Sequence, residues 1–198
     1  MKSVLIISVV ILLVLIVLQS YTVMASNKTE EQKYRVVSRD KGVEIRFYPA
    51  ATLATVYSGA KNYQELSGPG FRRLAGYIFG GNESSTQISM TSPVHMEIND
   101  TVSAMSFVMP SGYNPDNLPK PNDPNLVIQQ TRDEYIAAIR FGGYASTTDI
   151  EKYSEKLRKI LDDQGIKTNG SIRYLGYNPP YQVIGRKNEV IVSIEWKE

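Results

Sequence analysis

The sequence predicts an α+β domain, and three observations predict it. Strand-like runs and helical patterns follow one another as strands, helix, strands, and that order occurs twice. Only two helical patterns separate many strands, which does not build a doubly wound parallel sheet. The composition is that of a packed domain: 198 residues, 42% hydrophobic, 21% charged and 10% aromatic. A disordered, collagen-like or coiled-coil chain has a different balance.

The N-terminus reads as an address. Lys2 precedes an apolar run, Val4 to Leu18, and Val23-Met24-Ala25 offers small residues for cleavage after Ala25. One positive residue before a short apolar stretch is the layout of a secretory signal. Residues 1–25 are therefore expected to be a signal peptide. They are expected to be an N-terminal membrane anchor instead if Gln19-Ser-Tyr-Thr-Val extends the run toward the length a bilayer needs. Either reading places the body outside the cytoplasm: secreted, periplasmic or anchored by this segment.

The body occupies residues 33–197. Val43–Tyr48 alternates apolar and polar residues, as a half-buried strand does, and Leu53–Tyr57 is a second strand. Phe71, Leu74, Ala75 and Ile78 then stand at helical spacing, with Pro69 placed in the first turn and Gly80-Gly81 closing the helix. Strands follow at Gln87–Ile98 and Val102–Met109. Residues 110–124 hold half of the chain's ten prolines and read as a hinge loop. The second half repeats the order. Leu126–Thr131 and Glu134–Phe141 are strands, and Thr148-x-x-Glu151 is a capping box for a helix whose apolar face is Ile150, Tyr153, Leu157, Ile160 and Leu161. Gly165 ends that helix, and Ser171–Gly176 and Glu189–Trp196 are strands. The two halves are about 33–109 and 125–197.

Composition excludes several chemistries. With 22 Lys+Arg against 20 Asp+Glu there is no broad cationic footprint for nucleic acid. Without cysteine there is no disulfide, Cys nucleophile, thiolate-bound metal or covalent c-type haem. His95 is the only histidine, so a His-rich metal site or bis-His haem is excluded. Neither a phosphate loop nor a G-x-S-x-G elbow occurs, and the chain is not expected to be an enzyme. Sequons at Asn27, Asn82, Asn99 and Asn169 are read as chance triplets in loops.

Several segments in order resemble one known family. Gly70-Phe-Arg-Arg-Leu-Ala-Gly-Tyr-Ile-Phe-Gly-Gly-Asn82 is similar to the first helix of the SOUL haem-binding family, and Ile88-Ser-Met-Thr-Ser-Pro-Val94 to its M-T-x-P-V strand. Phe141-Gly-Gly-Tyr144, Tyr177-Asn-Pro-Pro180 and Gly185-Arg-Lys-Asn-Glu-Val190 match its later turn, loop and last strand. The resemblance spans about Tyr34–Trp196. It implies a distorted β-barrel or antiparallel sheet with two main helices and an internal pseudo-two-fold. It also implies non-covalent binding of haem or another tetrapyrrole in an apolar cleft beside the first helix of the body. A different flat hydrophobic ligand on the same fold, or an envelope interaction module, is the alternative.

A porphyrin needs a greasy slot and cations at the rim for its propionates. Phe71, Leu74, Ala75 and Ile78 are candidates for one wall, and packing on the sheet is the competing reading. The resemblance turns Phe71 and Ala75 toward the ligand. Arg72 and Arg73 are candidates for the propionates, since guanidinium meets carboxylate bidentately. Met105, Phe107 and Met109 alternate on one strand face and suit either a flat ligand or the core. Tyr177 and Tyr181, around Pro179-Pro180, are candidates for a lid or a plain turn. His95 falls on the face opposite Val94 and Met96, and is read as solvent-facing or hydrogen-bonded ahead of an axial ligand. The expected partner is thus a hydrophobic small molecule, with membrane contact only through an uncut N-terminal segment.

Overall fold

The computed structural model describes residues 2–26 and 28–197. Helix α1, Lys2–Ser26, precedes the body. In chain order there follow β1 (Glu30–Glu31), β2 (Arg35–Asp40), β3 (Val43–Tyr48), β4 (Thr52–Ser58) and α2 (Tyr63–Ile78). Next come β5 (Thr91–Ser92), β6 (Val94–Glu97), β7 (Ser103–Val108), β8 (Leu126–Gln130) and β9 (Glu134–Phe141). Helix α3 (Thr147–Asp163), β10 (Thr168–Gly176) and β11 (Asn188–Ile194) complete the chain.

Nine strands form one antiparallel sheet in the order β2-β3-β9-β11-β10-β6-β7-β4-β8, and β1 pairs separately with β5. The expected barrel does not close: β2 and β8 are free edges rather than partners. Nor are the halves self-contained. Strand β3 of the first half pairs with β9 of the second, and β8 of the second half pairs with β4 of the first.

Both main helices lie on one face. Helix α2 packs on β4, β6 and β7, and α3 packs on β9, β10 and β11. Under α2 sit Ala54, Val56, Leu66, Leu74, Met105 and Phe107; under α3 sit Ile45, Ile139, Leu157, Leu161, Tyr174 and Val190. Half-buried Met96, at the middle of the sheet, touches both clusters.

Several elements begin or end away from their sequence expectations. Helix α2 starts at Tyr63, because the Asn62 side chain caps it by accepting from Glu65 N at 2.9 Å, so Pro69 lies inside the helix rather than in its first turn. Helix α3 is capped by Ser146 and Asp149, two residues before the expected Thr148–Glu151 box. Gly165, at φ +66, does end it. Gly81 is needed after α2, since a Cβ there would lie 2.6 Å from Gly76 O. The expected strand Gln87–Ile98 is broken into β5 and β6 around Pro93. The proline-rich loop carries no helix or strand, yet it is packed: Leu118 is buried, and Tyr77 Oη donates to Pro119 O at 2.9 Å.

The other face of the sheet corrects a second expectation. Strand β3 was expected to turn its polar residues to water, but Arg46 and Tyr48 are buried as deeply as Val43 and Ile45. The N-terminal segment crosses over them, with the Tyr34 ring stacked 5.1 Å from that of Tyr48. Of the sequons, Asn82 is buried and donates to Tyr77 O and Thr86 O, while Asn169 is exposed. Asn27 lies outside the described residues.

Candidate functional site

The connection from β4 through α2 to β6 places α2 over β7, and the one from β9 through α3 to β10 places α3 over β11. Strands β6 and β10 lie between. Three inter-strand steps of about 4.8 Å put the helix axes about 14 Å apart, beyond the roughly 8–10 Å of packed helices. Strand order therefore leaves β6 and β10 as a strip of sheet between the helices, the candidate trough.

Which side of α2 faces the trough is fixed by its ion pair. Arg73 reaches away from it, toward the loop before β8, and donates to Asp123 through Nε at 2.7 Å and Nη2 at 3.0 Å. Arg73 holds the Asp123 carboxyl down at about 2. At 100° per residue, Phe71 and Ala75 stand on the opposite flank, toward β6 and β10. Phe71 is 38% exposed and packs edge-on against buried Phe107, with ring centroids 5.3 Å apart. Ala75 is half-buried, and Phe79, a further four residues on, is exposed. Arg72 is exposed beside this stripe and makes no ion pair or hydrogen bond among the described residues.

Strand register builds the floor. Phe107 pairs with Val94, Val94 with Gly176, and Gly176 with Asn188. At that level the Tyr174 ring takes the place of a Gly176 side chain: its Oη would lie 3.4 Å from a Cβ there, and it donates to Asn188 Oδ1 at 2.7 Å. One step along, Met96 pairs with Tyr174, and Tyr63 of α2 meets Tyr174 edge-on at 5.7 Å, which fills that end. The far wall carries Tyr144 and Arg186. Asn188 Nδ2 donates to Gly143 O, and the Arg186 guanidinium lies 4.2 Å from the Tyr144 ring centre. Arg186 donates from Nη1 to Pro179 O and Gln182 O, but its buried Nε has no acceptor among the described residues.

The remaining residues singled out in the sequence sit elsewhere. Leu74, Ile78, Met105, Phe107 and Met109 are buried in the core under α2. Tyr177 lies on the sheet's other face and donates to Glu189 Oε2 at 2.7 Å, while Tyr181 is exposed on the loop after β10. His95 is buried on that other face too; its Nε2–H donates to Gln32 Oε1 at 2.8 Å. Burial, with the Arg173 charge, pushes the imidazole down to about 3.

That face contains a polar network absent from the sequence reading. Arg46 donates to both Glu189 oxygens, at 2.7 and 2.8 Å, and both side chains are buried. Burial pushes the Glu189 carboxyl up, but the hydrogen bonds and charge of Arg46 together outweigh it and hold the group below its ordinary range. Burial and the Glu189 charge push the Tyr177 hydroxyl up. The one advance signal was Arg46 standing between Glu44 and Tyr48 in an alternating strand. A cavity of about 260 Å³ opens under the N-terminal segment, between Gln32, Thr52, Thr91, Met109, Tyr113 and Gln130. It is smaller than the roughly 300–1,000 Å³ of sites for drug-sized ligands.

An open antiparallel sheet with two helices on one face defines a helix-on-sheet domain. Residues 29–193 match the family described as SOUL heme-binding protein, and the chain belongs to that family. It is 32% identical over 154 residues to heme-binding protein 1 of Xenopus laevis, covering 74% of this chain and 80% of that one. It is 28% identical over 155 residues to heme-binding protein 2 of Mus musculus, covering 74% and 75%. The family and both relatives are named for binding, not for a reaction. Among solved structures, the EcmrR C-terminal domain matches with TM-score 0.56 and 11% identity, over 83% of this chain and 99% of that one. A hydrolase from Listeria innocua matches with TM-score 0.56 and 7% identity, over 80% and 94%. These two likenesses show the fold alone.

Proposed function

We propose that the protein binds or carries haem, or a related tetrapyrrole, without covalent attachment and without catalysis, in the trough between α2 and α3. Family membership supports the ligand class, and one observation carries the location. Phe71 remains partly exposed on the flank of α2 that faces β6 and β10, the strands lying between the two helices. Burying the apolar disc there contributes about 25 cal/mol per Å². Arg72, which makes no ion pair or hydrogen bond among the described residues, and the half-buried Arg186 guanidinium provide donors for the propionates. Haem bound here supplies its iron and its colour, while this chain supplies apolar contact and charge. His95 faces away, so its imidazole is not the axial ligand in this reading. The halves are taken to be related by a pseudo-two-fold, a reading supported by the strand order from β3 to β8. That order reads the same from either end when corresponding strands of the two halves are exchanged. Helix α1 supports a place outside the cytoplasm, as a leader or an anchor.

Titration of the protein with hemin tests the proposal. A saturable shift of the Soret band at micromolar protein is expected. A spectrum that stays that of free hemin overturns it.

A further inference from the structure

Within α1, Ile6–Met24 forms a 19-residue stretch with mean hydropathy 2.6 and none of it buried, long and apolar enough to cross a membrane. One side of its C-terminal part nonetheless touches the body. Gln19, Thr22 and Val23, at helical spacing, are half-buried. Gln19 Nε2 donates to Tyr181 O at 3.2 Å, and Gln19 Oε1 accepts from Val183 N at 3.0 Å. The loop thereby satisfies an amide that hydrocarbon alone would leave unpaired.

That loop turns its apolar side chains outward: Tyr181 is 65%, Val183 57% and Ile184 65% exposed. It is stapled from within, because buried Gln182 donates to Ile184 O at 2.9 Å and Arg186 holds Pro179 O and Gln182 O. Folding therefore fixes an exposed apolar patch in place instead of burying it. From Gln19 to the end of the apolar stretch at Met24 is five residues, or about 7–8 Å at 1.5 Å per residue. That matches the roughly 5–10 Å depth at which apolar side chains enter a membrane interface. Tyr21 and Tyr181, both exposed, are the residue type favoured at that level.

We propose that in the uncut chain Tyr181, Val183 and Ile184 form a second membrane contact. They insert into the lipid interface beside α1, while Gln19 sets their depth and fixes the body against the bilayer. The proposal rests on α1 remaining attached as an anchor, and it is independent of haem.

The chain has no cysteine, so one introduced cysteine is a unique label site. The full chain is reconstituted in phosphatidylcholine vesicles with an environment-sensitive fluorophore on Ile184→Cys or, as a control, on Glu155→Cys, an exposed position of α3. A spin-labelled phosphatidylcholine with a shallow nitroxide is expected to quench the label at 184 several-fold more strongly than that at 155. Adding Gln19→Leu, which keeps the helix apolar, is expected to at least halve the difference. Equal quenching at both sites overturns the proposal and leaves the patch to a protein partner. Quenching at 184 that Gln19→Leu leaves unchanged overturns the role of Gln19. Neither readout involves hemin, so failure here and failure to bind haem are separate results.

Discussion

Phe71 meets Phe107 edge-on, with ring planes at 65°, and this contact holds one ring in the core and the other partly exposed on the flank of α2. The Phe71 ring is thereby oriented by the core and remains accessible to a ligand.

Replacing Phe71 separates these two roles. Phe71→Asp places a charge on the wall and is expected to weaken hemin binding by about 10–100-fold, the equivalent of losing one buried aromatic contact. Phe71→Leu should cost only a few-fold. Equilibrium titration of both variants, with circular dichroism as a check on folding, measures the difference.

The two adjacent arginines are expected to behave differently. Arg72→Glu should weaken hemin several-fold and leave its dimethyl ester unaffected, because only hemin offers carboxylates. Arg73→Glu should instead break the bidentate pair with Asp123 and loosen the 110–124 loop. Its effect should appear as faster proteolysis of that loop and be the same for both ligands. Equal discrimination between the ligands by the two variants contradicts this division.

The pairing of Arg46 with Glu189 predicts a stability effect away from the ligand. Removing Arg46 leaves the buried Glu189 carboxylate without its guanidinium, so Arg46→Met is expected to destabilise the domain by about 3–5 kcal/mol; in Glu189→Leu, by contrast, Arg46 keeps its bond to Glu44. The double variant Arg46→Met with Glu189→Leu should recover most of the loss, since a buried ion pair is weak net stabilisation. Urea midpoints of the three proteins provide the test.

His95 gives the domain an acid sensitivity. Unfolded, a histidine takes its proton near about 6.5, while folded His95 stays neutral down to about 3. Between those values the unfolded chain binds one proton more, so stability falls as pH drops, by up to about 1.4 kcal/mol per unit. Glu44, Glu134 and Glu189 are held below their ordinary value of 4.5, and their contribution is lost only in more acidic solution. Denaturation between about pH 6.5 and 5.5 should therefore report chiefly His95, and His95→Gln should flatten the slope there. The same variant should leave the Soret band of the hemin complex in place.

Much of the fold was legible because it depends on local periodicity. Strands β3 and β9 and the apolar stripes of α2 and α3 follow from spacing. What one sequence could not show was pairing between distant strands. The exchange of β3 and β8 between halves sets the open sheet, and it turns Arg46 from a solvent residue into a buried partner of Glu189. Helix starts moved for a local reason: the Asn62 and Ser146 side chains cap the backbone ahead of the first turn expected at Pro69 and of the box expected at Thr148. For the site, the stripe Phe71 to Ile78 was visible, but not which members stay exposed. Tyr144 and Arg186 were visible only as motif members. The candidate trough arises from two strands lying between two helices, a property of order across the sheet.

The location of the ligand is the central claim, and one measurement reaches it most directly. Backbone amide resonances are followed while gallium protoporphyrin IX, a diamagnetic stand-in for haem, is added. Saturable shifts are expected at Phe71, Ala75, Val94, Tyr144 and Gly176. Shifts confined to Gln32, Thr91 and Tyr113, around the cavity under the N-terminal segment, or no saturable shift at all, would contradict it.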